Sequence, residues 1–133
     1  MTITLELELR HSPEKVWRAL TEPQLLAEWL LPVLDLKLER GAAFRLQGPQ
    51  FPDWDGIVHC KFVEIEPQRK LSYSWAAVGL DTIVTFTLTP TAAGTHLLLV
   101  QSGFTPEQKQ AAGGARYGWK MMSERLVELL ERT

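Results

Sequence analysis

The sequence holds a single cysteine, Cys60, among 133 residues. One thiol can form neither an intrachain disulfide nor a cysteine-based zinc site. No stretch approaches the ~18 continuous apolar residues that a transmembrane helix needs. Charge of one sign is nowhere concentrated: 14 Lys and Arg stand against 16 Asp and Glu, a net charge of −2. That balance excludes the basic stripe of a nucleic-acid-binding domain and the polybasic patch of a membrane-surface protein. Histidine is equally sparse. His11, His59 and His96 each lack a second His, Cys, Asp or Glu at metal-ligand spacing, so no metal centre is expected. The glycines Gly113, Gly114 and Gly118 do not follow a strand in a phosphate-cradling fingerprint, and read instead as a helix break.

What is present is apolar alternation in an ordinary globular composition, 45% hydrophobic and 23% charged. A chain of this length suits one core, so residues 1–133 are expected to form one domain. The first residues alternate from Thr2 onward, with Ile3, Leu5, Leu7 and Leu9 on one face. That is the period of a half-buried strand rather than of a signal peptide, and a cytoplasmic location is the expectation. Ser12-Pro13-Glu14 provides an N-cap, a proline for the first helical position and an early acid. A short helix carrying Val16, Trp17, Ala19 and Leu20 should follow. Thr21-Glu22-Pro23-Gln24 reads as a capping box for a second short helix with Leu25, Leu26, Trp29 and Leu30, ended before Pro32.

The middle of the chain reads as strand after strand. Residues 33–39 alternate through Leu34, Leu36 and Leu38, and Arg40-Gly41 marks a turn. Phe44 and Leu46 share a face, as do Leu71, Tyr73 and Trp75, and then Val84, Phe86 and Leu88. Residues 57–66 have a mixed pattern, Val58, Cys60 and Phe62 against Val63 and Ile65, which either a β-bulge or partial cover on both faces would explain. In the last strand Leu97, Leu99 and Gln101 are expected inward, because His96 more cheaply faces water. Thr105-Pro106-Glu107-Gln108 opens a helical region that resumes at Ala115 and runs to about Arg132. Its stripe is Ala115, Trp119, Met122, Leu126 and Leu129/Leu130, with Ser123 at the margin and Lys120–Glu124 and Glu128–Arg132 as ion pairs. Consecutive strands with short turns argue for an antiparallel sheet in an α+β domain.

Order and residues together resemble the AHSA family (homologues of an activator of a heat-shock chaperone's ATPase) within the SRPBCC, START-like superfamily. The resemblance is carried by His11-Ser12-Pro13-Glu14-Lys15-Val16-Trp17 through Thr21-Glu22-Pro23 and Trp29, and by Gly41-Ala42-Ala43-Phe44. It continues through Phe62-Val63-Glu64-Ile65-Glu66-Pro67, Leu71 and Ser74-Trp75, then Gly94-Thr95 through Ser102-Gly103-Phe104, and Gly118-Trp119. The family often has His where Gln101 stands, glycine in place of Cys60, and a further aromatic in place of Leu30. The resemblance implies a helix-grip fold: six to seven antiparallel strands curved around a long C-terminal helix, with two short helices after the first strand.

A sheet gripping one helix implies a cavity between them. The expected lining is Trp29, Phe44, Phe62, Tyr73, Trp75, Phe86, Gln101, Trp119 and Met122, aromatic and apolar with few polar groups. The implied role is binding of a small apolar or aromatic molecule, without cofactor, metal, nucleic-acid partner or assigned catalytic residue. Two alternatives use the same fold: a cyclase or hydrolase acting in that cavity, and a chaperone-associated protein-interaction module. Asp53 and Asp55, flanking Trp54 in a polar loop, read as solvated turn carboxylates. Cys60 reads as a buried inert thiol.

Overall fold

The computed structural model describes residues 1–133. Its elements run β1 (Thr2–Leu9), α1 (Pro13–Thr21), α2 (Pro23–Trp29), β2 (Val33–Leu34), β3 (Ala43–Gln47), β4 (Ile57–Glu66), β5 (Lys70–Ala77), β6 (Leu80–Pro90), β7 (Thr95–Ser102) and α3 (Lys109–Arg132). The strands form one seven-stranded sheet in the order β1-β7-β6-β5-β4-β3-β2, antiparallel throughout. Two short helices follow the first strand and a long helix ends the chain. This is the α+β helix-grip arrangement that the resemblance implies.

Register converts alternation into a buried face, because side chains one residue apart point to opposite sides. Ile3, Gln101, Val84, Tyr73 and Phe62 lie side by side across β1, β7, β6, β5 and β4. Leu5, Leu99, Phe86, Leu71 and Ile65 form the next row. Ile65 joins that row only because the β4–β5 register shifts between Phe62 and Glu64. Val63 is the extra residue and is exposed. The mixed pattern of 57–66 therefore is a bulge that returns the apolar set to one face.

Ser12 caps α1 by accepting a hydrogen bond from the Lys15 amide at 3.2 Å. The lysine side chain donates to the Leu130 carbonyl at 2.6 Å, which places a cation on the C-terminal turn of α3. The Trp29 indole donates to the Ala19 carbonyl at 2.8 Å and locks α2 against α1. The turn between β6 and β7 presses so tightly on the end of β1 that a Cβ on Gly94 would lie 2.2 Å from the Leu9 carbonyl oxygen. Only glycine fits there.

Local expectations differ from the structure at four places. No capping box forms at Thr21: it ends α1 and its hydroxyl donates to the Trp17 carbonyl at 2.8 Å, leaving Glu22 as an N-cap without a side-chain bond. The strand over 33–39 stops at Leu34, because Asp35 turns to φ +62° and offers its carboxylate to Arg45; Leu38 is exposed. The helix is not broken at Gly113-Gly114. It runs unbroken for 24 residues, roughly 36 Å, since glycine weakens a helix without forbidding it. Neither expected ion pair of α3 forms: Lys120 and Glu124 do not meet, and Arg132 turns away from Glu128 to Glu28 of α2 at 3.7 Å.

Candidate functional site

The face of α3 toward the sheet changes character along its length. Leu126, Leu129 and Leu130 are each at most 2% exposed and share one cluster with Val16, Leu20, Leu26 and Trp29. Ser123 belongs to this buried face and not to its margin, at 5% exposure. The void between Ser123, Leu126, Trp29, Phe86, Leu97 and Leu99 is only about 10 Å³. One to three turns earlier the helix presents Ala111, Gly114, Ala115 and Gly118, spaced i, i+3, i+4 and i+7 along one face. Opposite them lie Val58 of β4, Trp75 and Ala77 of β5, and Leu80 of β6, and the space between is a pocket of about 830 Å³.

The expected cavity residues divide between these regions. Trp75, Gln101, Trp119 and Met122 line the pocket. Trp29, Phe44, Phe62, Tyr73 and Phe86 pack instead into the closed core, each at most 3% exposed. Phe44 stacks on Phe62 with ring centroids 4.6 Å apart and meets Tyr73 edge-on at 5.2 Å. Phe86 meets Trp29 and Trp119 edge-on at 6.4 and 6.0 Å. Such pairs fill volume that a ligand would otherwise occupy.

Other lining residues were not legible as such. Trp54 lies in the loop between β3 and β4 as expected, and also stands at the pocket wall, because that loop folds back on itself. Gly48 N–H donates to the Gly56 carbonyl at 2.6 Å, and Phe51 and Trp54 exchange backbone bonds of 2.9 and 3.1 Å. The Trp54 indole donates to the Ile57 carbonyl at 3.1 Å. Phe51 from the β3–β4 loop, Val78 from the β5–β6 turn and Tyr117 from α3 stand at the mouth, 59%, 68% and 67% exposed. Val78 is held at φ +48°, a region that β-branched residues avoid. The one available sequence signal was the small-residue face of α3, which a helical wheel shows once Gly113-Gly114 is kept inside the helix.

The lining contains no Asp, Glu, Lys, Arg, His or Cys. Tyr117 brings a hydroxyl to the mouth, and the polar groups of the inner wall form a chain of hydrogen bonds. The Trp119 indole donates to Gln101 Oε1 at 2.7 Å, Gln101 Nε2 donates to Thr82 Oγ1 at 2.9 Å, and the Thr82 hydroxyl donates to the Trp75 carbonyl at 2.9 Å. Trp75 and Trp119 tilt against each other at 5.4 Å.

The remaining candidate groups lie elsewhere. Cys60 is buried among apolar side chains, and burial pushes its thiol up to about 12, so it stays protonated. Burial likewise raises the Tyr73 phenol well above its ordinary range, with the neighbouring Cys60 adding to the effect. His59 is exposed, and His11 sits beside the Lys15 ammonium at 3.3 Å. His96 faces outward and bridges Glu8 and Glu6 of β1. Asp53 is exposed, and Asp55 accepts from the Ile57 amide at 2.9 Å within its own turn.

The crystal structure of protein MLL2253 from Mesorhizobium loti superposes with a TM-score of 0.90 at 45% sequence identity, covering 100% of this chain and 98% of that one. CalU16 from Micromonospora echinospora gives 0.82 at 25% identity, covering 97% of this chain and 75% of its own. DynU16, from the dynemicin biosynthetic locus, gives 0.81 at 25% identity; this chain spans 98% of itself but only 47% of that protein. No protein of curated function matches the sequence. The profile of the family described as Activator of Hsp90 ATPase homolog 1-like protein matches residues 10–131. The chain belongs to that family, whose fold is the helix grip described above.

Proposed function

We propose that this chain binds a small apolar molecule in the pocket between the first half of α3 and the β4–β6 end of the sheet. The observation that carries the reading is the helix glycines. Glycine inside a helix costs roughly 1 kcal/mol relative to alanine. A Cβ added to Gly113 or Gly114 would meet nothing within 4 Å, and one on Gly118 only the tip of Met122 at 3.9 Å. Packing within the protein therefore does not require these glycines. At Gly114 and Gly118, what their small size preserves is the volume of the pocket. Pocket size and apolar character suit a drug-sized molecule. With no carboxylate, imidazole or thiol in the lining, binding is favoured over acid–base catalysis there. The occurrence of similar chains such as DynU16 in a biosynthetic locus agrees with a small organic ligand.

The test is a titration with the neutral dye Nile red, read by quenching of tryptophan emission. Saturable quenching is expected from Trp54, Trp75 and Trp119 in the wall. Gly118→Leu fills the pocket with a side chain that has room to stand, so it should abolish binding while leaving the melting temperature unchanged or higher. Non-saturable quenching, or undiminished binding in Gly118→Leu, would overturn the reading.

A further inference from the structure

Three of the large apolar side chains that the fold leaves exposed meet at the pocket mouth: Phe51, Val78 and Tyr117. A fourth, Met121, follows Tyr117 one helical turn later on the same face of α3 and is also exposed. An apolar patch rimmed by polar groups marks a surface that another molecule covers. Val78 is held there under strain. With Gly79 it joins β5 to β6, at φ +48° and +80°. Positive φ at both positions is the turn that Asn-Gly fills most easily, and a β-branched residue fits it badly. Packing within the chain does not offset that strain, because the side chain is 68% exposed.

Charge identifies the covering molecule. On one side of the mouth, α3 from Lys109 to Met122 carries Lys109, Arg116 and Lys120 and no acid. On the other, the loop from Gly48 to Gly56 carries Asp53 and Asp55 and no cation. All five charged residues are exposed, and none forms an ion pair within the chain. We propose that the mouth is the interface of a homodimer, with its two-fold axis lying along the mouth and parallel to α3. That axis sets each α3 over the loop of the other copy, cations against carboxylates, and encloses Phe51, Val78, Tyr117 and Met121 between them. A two-fold axis across the mouth would set α3 on α3 and cations on cations. An anionic bilayer suits the helix side but is repelled by Asp53 and Asp55. The interface holds whether or not the pocket takes a ligand.

Sedimentation velocity of the full chain over about three decades of concentration reads the association directly. A monomer–dimer equilibrium weakened by salt is expected. Val78→Asn relieves the turn and removes an apolar anchor, so it should raise the melting temperature while weakening association about tenfold or more. Lys120→Glu and Asp53→Lys alter exposed positions and leave the fold intact. Each should weaken self-association about tenfold, because the two-fold repeats every unfavourable approach. An equal mixture of these two variants should associate as wild type does, since in the mixed dimer both crossings again join opposite charges. A chain that stays monomeric throughout would overturn the proposal. So would a dimer that Val78→Asn and the charge reversals leave unchanged, or a mixture that associates no better than its parts. Cosedimentation of the monomer with anionic phospholipid vesicles, lost in Lys120→Glu, would give the surface to a membrane and overturn it likewise.

Discussion

The C-terminal half of α3 sets Leu126, Leu129 and Leu130 against Trp29, Phe86 and the two short helices, and leaves a void of about 10 Å³ beside Ser123. The N-terminal half sets Ala111, Gly114, Ala115 and Gly118 against Val58, Trp75 and Ala77, and leaves about 830 Å³. One helix and one sheet thus meet twice, once as a core and once as a container. The difference lies in side-chain volume, since the backbone continues unbroken through both. Stability is concentrated where the contact is filled, and the proposed ligand site lies in the open half.

The largest effect should come from breaking the filled half. Leu126→Asp buries a carboxylate with no partner and should abolish the cooperative melt, seen by circular dichroism. Ser123→Asp should come close to it, because Ser123 is buried against the same side chains. Leu126→Ala, which leaves a cavity, should cost about 2–5 kcal/mol in urea unfolding. If any of these variants melted like wild type, the helix would not anchor the sheet.

The open half should answer with the opposite sign. Gly114→Ala adds a methyl group into empty space and removes backbone freedom from the unfolded chain. It should raise stability by about 1 kcal/mol, a melting-temperature rise of about 3–6 °C by calorimetry. A drop would show that the glycine is needed by the fold and not by the pocket.

The smallest effect lies on the outer face of the sheet, remote from both halves. His96 is hydrogen-bonded to Glu8 and lies 3.3 Å from Glu6, which raises its pKa above the ordinary 6.5. The folded state then holds the proton more tightly than the unfolded one. The stabilisation is complete below about pH 6.5 and is lost as pH rises through the folded value. Urea midpoints at about pH 5.5 and about pH 8.5 should show wild type losing ground relative to His96→Gln as pH rises. His11 shifts downward through burial and the nearby Lys15, with the opposite slope, but it is common to both proteins and cancels in the difference. Parallel midpoints would mean that the pairing with Glu6 and Glu8 adds nothing in solution.

Much of the fold was legible because alternation is a local signal. Period two marked Val84, Phe86 and Leu88 as inward on β6; on β7 it left two sets, between which the polarity of His96 selected Leu97, Leu99 and Gln101; and the mixed period of 57–66 left a bulge or two partly covered faces, of which the register shows the bulge, at Val63. Where a local signal competed with tertiary contact it misled. The alternation of 33–39 was interrupted by Asp35 turning toward Arg45, and the glycine pair of α3 was read as a break when the tertiary structure holds it in the helix.

The sequence by itself determined the inward side chains of the regular strands and of most of α3, since those follow from strand and helix periods along one chain. Whether an inward face meets another surface or empty space depends on two segments far apart in sequence and on the sum of their volumes. Trp75 and Tyr73 carry the same inward signal two residues apart on β5, yet Tyr73 packs against Phe44, Phe62 and Phe86 while Trp75 looks onto the glycines of α3. Only the tertiary structure could separate them, because volume is filled by neighbours in space and not by neighbours along the chain.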